Sequence, residues 1–168
     1  MKTIIALFAA ATCVTTVAMA ASSTDTDFAT KAAQAGMAEV AAGKVAESKG
    51  ASASVKAFGK RMVADHTKAG DELKKVADKS GVSLPASPSP EQQQVNQRLE
   101  GMQGADFDRA YSQQMVKDHE EAVALFKNEA SAGSDANLKA FAQKTVPTLE
   151  QHLKMAQALP EGVQSKAH

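Results

Sequence analysis

The segment Phe58–Ala77, FGKRMVADHTKAGDELKKVA, sorts its residues by the turn of a helix. Started from Val55, one face reads Val55, Phe58, Met62, His66, Ala69, Leu73, Val76, and the positions between are mostly charged or small. A helix with one apolar stripe has to bury it against matching stripes, so this segment already implies helical partners. It also carries a signature that recurs. MVADH, Met62–His66, returns as MVKDH, Met115–His119, and each copy follows an aromatic ring four residues before its Met, Phe58 and Tyr111.

Outward from there, the chain supplies three further long periodic segments. The first is expected from about Asp27 to Lys49, entered through Thr24, Asp25 or Thr26 and stopped near Gly50; the segment quoted above then runs from about Ser54 to Ser80 and ends at Gly81. VSLPASPSP cannot continue a helix, and Ser89-Pro90-Glu91-Gln92 restarts a short one that ends around Gly101 to Gly104. The third long helix is expected from about Ala105 to Ala132, and the fourth from about Asp135 to Leu159, closed by Pro160 and bent at Pro147. Two tight connections and one long one predict an all-α four-helix bundle whose crossover, Gly81 to Gly104, lets the second and third long helices run parallel.

Composition agrees. There is no Trp and one Tyr, and Ala, Lys, Gln and Glu dominate after the leader, a mixture that favours helix over strand. Residues 1–20, MKTIIALFAAATCVTTVAMA, have the layout of a secretory signal peptide: one Lys, an apolar run too short to anchor in a membrane, and Ala18-Met19-Ala20 before the expected cleavage. Acylation at Cys13 is the competing reading, and Thr12 before the Cys suits it poorly. The expected organisation is leader 1–20, one domain 21–160 and a frayed tail 161–168, with the mature protein in the periplasm or cell envelope. Cleavage removes Cys13, the sole cysteine, and with it disulfides, thiolate metal sites and cysteine nucleophiles. Charges of both signs are interspersed and balance, which leaves no basic field for nucleic acid or anionic lipid. No membrane span is expected after cleavage, and nothing specifies a protein partner or a homo-oligomer.

Each of the four stripes is apolar or small apart from one ionisable residue near its middle: Glu39, His66, His119 and His152. Glu39 and His66 lie about 12 and 14 residues from the Gly50 turn, within roughly 3 Å in height; His119 and His152 lie about 14 and 19 residues from the Gly133 turn, a mismatch near 6 Å that a bend at Pro147 would reduce. The four are expected in one layer. A buried carboxylate with three imidazoles needs satisfying, and two arrangements do so. One is a single transition-metal ion, zinc, copper or iron, on neutral imidazoles and the carboxylate. The other is a metal-free network in which the side chains bond one another. Asp65 and Asp118 point about 100° away from their histidines, fit to pair with a Lys or Arg on a neighbouring helix, to flank the site from outside, or to stand as ordinary helix-surface acids. Met62, Met115 and Met155 lie one turn from the histidines on the same faces, as core filling or as soft neighbours that would suit copper.

FGKRMVADHTKAGDELKKVA, YSQQMVKDHEEAVALF and KTVPTLEQHLKMAQAL, preceded by FATKAAQAGMAEVAAGKVA, resemble the bacterial domain-of-unknown-function family DUF4142 of the ferritin-like group, from about Asp27 to Leu159. The resemblance implies an exported ferritin-like bundle with the crossover topology, and it implies no activity. Ferritin-type diiron sites use Glu-x-x-His motifs. Here the residues three before the site histidines are Val63, Val116 and Leu149, so carboxylate-bridged diiron chemistry is not expected. No Ser-His-Asp frame, phosphate loop or carboxylate pair supports an enzyme. The expectation is an exported metal-binding bundle, against a non-catalytic envelope or stress-related protein with a metal-free core network.

Overall fold

The computed structural model describes residues 21–160; the expected leader 1–20 and the expected tail 161–168 lie outside the described residues. The chain forms five helices: α1 Ser23–Lys49, α2 Ala53–Ser80, α3 Pro90–Glu100, α4 Gly104–Ala132 and α5 Ala136–Gln157. No strand occurs among the described residues, only an isolated bridge between Gly50 and Gly104. Ser52 caps α2, Asp135 caps α5, and Ser89 with Pro90 opens α3 through a capping box with Gln92. α1 begins four residues earlier than expected. Asp25, read above as a candidate cap, instead reaches back to the Ser22 backbone N–H while the Ser22 hydroxyl accepts from Asp25, so the capping box closes on Ser22. α5 continues through Pro147.

The four long helices form a closed ring of neighbours, α1 on α2, α2 on α5, α5 on α4 and α4 on α1, with α3 laid against α1. Along this ring the core divides in two. One apolar cluster gathers Phe28, Leu73, Phe126, Leu138, Phe141 and Leu149. The other gathers Val55, Phe58, Leu99, Phe107 and Tyr111 with Met62 and Met115. α2 and α4 both run from the second cluster to the first, and α1 and α5 both run the other way, so α2 and α4 are parallel. On each of the four long helices the one ionisable stripe residue falls between the two clusters.

Each end of the ring is fastened by an aspartate. Asp108 of α4 accepts hydrogen bonds from the backbone N–H of Ala51 and Ser52, both 2.8 Å, tying the α1–α2 turn to α4. Asp25 of α1 accepts from Ser134 at 2.8 Å and Asp135 at 3.2 Å, tying the α4–α5 turn to α1.

α1 and α2 touch backbone to backbone near their turn. A Cβ on Gly59 would stand 2.7 Å from the Gly43 carbonyl oxygen and 2.7 Å from the Ala46 Cβ, whereas one on Gly70 would meet nothing within 4 Å. Gly59→Ala is therefore expected to destabilise by about 1–3 kcal/mol through overpacking. Gly70→Ala, with the same change in helix propensity, is expected to stabilise by about 0.5–1 kcal/mol. Urea midpoints of the two variants test this; equal shifts would sink it.

Candidate metal centre

The layer between the two clusters is built one residue per helix: Glu39 from α1, His66 from α2, His119 from α4 and His152 from α5, exposed by 3%, 8%, 0% and 1%. The ring centroids of His66, His119 and His152 form a near-equilateral triangle with sides of 5.8, 5.3 and 5.4 Å. The height mismatch expected for His119 and His152 does not separate them. Glu39 reaches toward two of the rings, with Oε2 2.6 Å from His66 Nε2 and Oε1 3.7 Å from His119 Nδ1.

The imidazoles are held from outside. His119 Nδ1 lies 2.8 Å from the Met115 carbonyl oxygen, one turn back on its own helix. His152 Nε2 lies 2.8 Å from Asp65 Oδ2, which also accepts from Arg61 Nε at 2.7 Å. The nitrogens on the other side of these rings, His119 Nε2 and His152 Nδ1, are buried without a hydrogen-bond partner, as are His66 Nε2 and Glu39 Oε1. The 2.6 Å contact between His66 and Glu39 thus brings charges together without the alignment of a hydrogen bond. One nitrogen from each of the three rings can be chosen so that all lie within 4.8 Å of one another.

Electrostatics divides the rings. Burial raises the Glu39 pKa, but His66 and His119 overcome it and hold the group near about 2. Burial, reinforced by His66 and His119, brings His152 down to about 4 despite its bond to Asp65, so the ring is neutral at neutral pH, the form that coordinates. His66 moves the other way, because Glu39 outweighs burial and raises it.

Asp65 departs from one expectation. It pairs with no cation on a neighbouring helix; its arginine is one turn back on α2, and across the α2–α5 contact it takes His152. A 100° step along the helix places Asp65 on the flank that faces α5, which the sequence could not reveal without knowing the ring order. Asp118 meets no cation from another helix either: it accepts from Gln114 at 2.8 Å, and burial with Glu39 nearby pushes it up to about 6. Met62 and Met115 are buried in the apolar cluster with Phe58 and Tyr111, and Met155 packs against it from the edge. All three lie on the same side of the histidine layer and fill core there.

Another buried acid escaped the sequence. Glu129, 2% exposed, sits near the Asp25 end of the ring with Oε1 unpartnered, and burial with the Asp25 charge pushes it up to about 7 from an ordinary 4.5. A raised acid contributes stability below its unfolded value that is lost as pH rises through the folded one. Unfolding free energy should therefore fall between about pH 5 and 8, by up to about 3 kcal/mol. Glu129→Gln should flatten that slope in urea titrations at pH 5.5 and 8; an unchanged slope would contradict the assignment.

A family model described as "Domain of unknown function (DUF4142)" matches residues 11–159. The crystal structure of a DUF305 fragment from Deinococcus radiodurans is similar in fold, with a TM-score of 0.72 and 13% identity over 83% of this chain and 97% of that one. At that identity the likeness is one of fold alone. No curated protein matches the chain.

Proposed function

The chain belongs to the DUF4142 family, and from that premise we propose that it is an exported, ferritin-like four-helix bundle that holds one transition-metal ion on Glu39, His66, His119 and His152. The observation that carries this reading is the two-sided state of the rings. Two imidazoles are anchored by their outer nitrogens, on Asp65 and on the Met115 carbonyl, while the opposite nitrogens and Glu39 Oε1 are buried with nothing to bond. Outer hydrogen bonds of this kind set the tautomer and orientation of a metal-ligating histidine. Leaving that many polar atoms unpaired costs roughly 1–3 kcal/mol each, and an ion would satisfy all of them at once.

The donor set, three nitrogens and one carboxylate oxygen, suits zinc, copper or iron over calcium or magnesium. A spread of up to 4.8 Å needs modest side-chain rotation to reach the roughly 3.4 Å between nitrogens around zinc. With one carboxylate there is nothing to bridge an iron pair, so the role is retention or buffering of an ion. The leader-like residues 1–20 support a role in the periplasm or envelope, and no described helix is long and apolar enough to cross a membrane.

The close Glu39–His66 contact favours a second reading, a metal-free charged layer in a non-catalytic envelope or stress-related protein. Calorimetry separates the two. Chelator-treated protein should take up zinc, copper or iron near one equivalent. No uptake of any of the three would overturn the metal reading, and under the second one, leucine at all four positions should raise Tm.

A further inference from the structure

A cleft of about 670 Å³ opens between α1, α2 and α5 and ends on Glu39, His66 and His152. Ala122 and Phe126 of α4 border it from the far side, and the crossover from Val82 to Ala86 lines one end. Its walls are chiefly apolar, with Leu73, Phe141 and Leu149 joining Phe126. Its size lies in the range of small-molecule sites, and apolar walls converging on a few polar groups are their usual build.

Two features of the cleft bear on an occupant, the open glycines of its walls and, shared with the metal reading above, the unpartnered donors at its inner end. Gly36 and Gly70 both line the cleft, and a Cβ on either would meet nothing within 4 Å. Neither has positive φ. A glycine inside a helix costs about 0.5–1 kcal/mol against alanine, and here neither crowding nor backbone conformation asks for it, unlike at Gly43 and Gly59. What these two glycines preserve is room. At the inner end, His66 and His152, both more than nine-tenths buried, each carry a ring nitrogen with no partner, beside an unpartnered oxygen of Glu39.

We propose that the cleft binds a small apolar monocarboxylate, its body along the apolar walls and its carboxylate turned to the Glu39, His66 and His152 end. The head group follows from charge, and this step rests on the metal reading above: with Asp65, which also lines the cleft, balanced by Arg61 at 2.7 Å, a divalent ion, the Glu39 carboxylate and neutral imidazoles leave a single positive charge, which one monoanion balances. A phosphate or a diacid fits less well, because Asp65, Asp71 and Asp78 line the cleft against one cation among the described residues, Lys74, and would repel a second negative charge.

The test uses the full mature chain, zinc-loaded and chelator-treated, with dodecanoate below its micelle threshold as the probe and dodecanol as the control without a charged head. One equivalent of dodecanoate should bind the zinc form at least tenfold more tightly than the chelated form and more tightly than dodecanol. The Gly36→Leu and Gly70→Leu variants, which fill the cleft, should each weaken dodecanoate at least tenfold and leave the zinc titration unchanged. Cobalt in place of zinc gives a measure that needs no variant: its visible spectrum should shift on adding dodecanoate. Zinc uptake without dodecanoate binding, or with no preference over dodecanol, would overturn the cleft assignment and leave the metal reading standing. Failure to take up zinc, copper or iron in the first place would overturn both, and the zinc titration shows which has failed.

Discussion

His119→Ala is expected to weaken zinc or copper binding by more than the roughly 10–100-fold that removing an outer partner of a ligand costs. His119 is the most enclosed of the four, at 0% exposure. Its Nδ1 is committed to the Met115 carbonyl, so the ring has one nitrogen to offer and little freedom to offer it elsewhere. Alanine there removes a donor that no neighbouring side chain can replace, since Met115 and Tyr111 on the same face are enclosed in the apolar cluster. Asp65→Asn is the graded companion. It keeps an oxygen near His152 but removes the charge that orients the ring, and should weaken binding by roughly 10–100-fold. Calorimetry or competition with a chromophoric chelator reads both. Stabilisation by metal supplies a second readout, because an ion that binds only the folded chain raises Tm, and that rise should vanish in His119→Ala. Binding within threefold of wild type would remove His119 from the site.

Asp25→Ala is expected to be the most destabilising of the polar substitutions away from that layer, by about 2–4 kcal/mol, because it strands one buried backbone donor, Asp135, and two part-buried ones, Ser22 and Ser134, at up to roughly 1–3 kcal/mol each. One carboxylate accepts from the Ser22 N–H and hydroxyl, from Ser134 and from Asp135. Burial works against the charge, but those bonds overcome it and hold the group near about 2. A depressed acid gives stability that is present above its unfolded value and lost as pH falls through the folded one, so the contribution should persist down to about pH 4 and decay toward 2. The relief of Glu129 on losing its charged neighbour offsets part of the loss, which makes Asp25→Ala in a Glu129→Gln background the cleaner measurement. A loss below about 1 kcal/mol in urea unfolding would show that water serves those donors equally well.

The helices, the long crossover and the mid-stripe position of Glu39, His66, His119 and His152 were legible because each depends on local periodicity. The start of α1 was missed by a few residues because Asp25 looked like a cap and is instead the third residue inside one. Contacts between remote segments were not legible. Asp65 meets His152 across 87 residues, and Asp25 meets Ser134 across 109. Nothing in the neighbourhood of either residue encodes which helix will stand opposite. Counting residues from the Gly133 turn put His119 and His152 at different heights, yet their rings meet at 5.4 Å in the one layer expected of them. The cleft was invisible for a related reason: Gly36 and Gly59 look alike in a sequence, and only the separation of α1 from α2 reveals that one is crowded and the other open.

α1 enters at the end of the ring fastened by Asp25, and α5 leaves at the end fastened by Asp108. Ala21 and Pro160 are therefore separated by about the length of α1, whose 27 residues span roughly 40 Å. Joining the two in a circular permutant would need a tether of about a dozen extended residues. Tandem copies on a short linker would string out like beads, and a fluorophore pair on the two ends would report that separation by weak energy transfer.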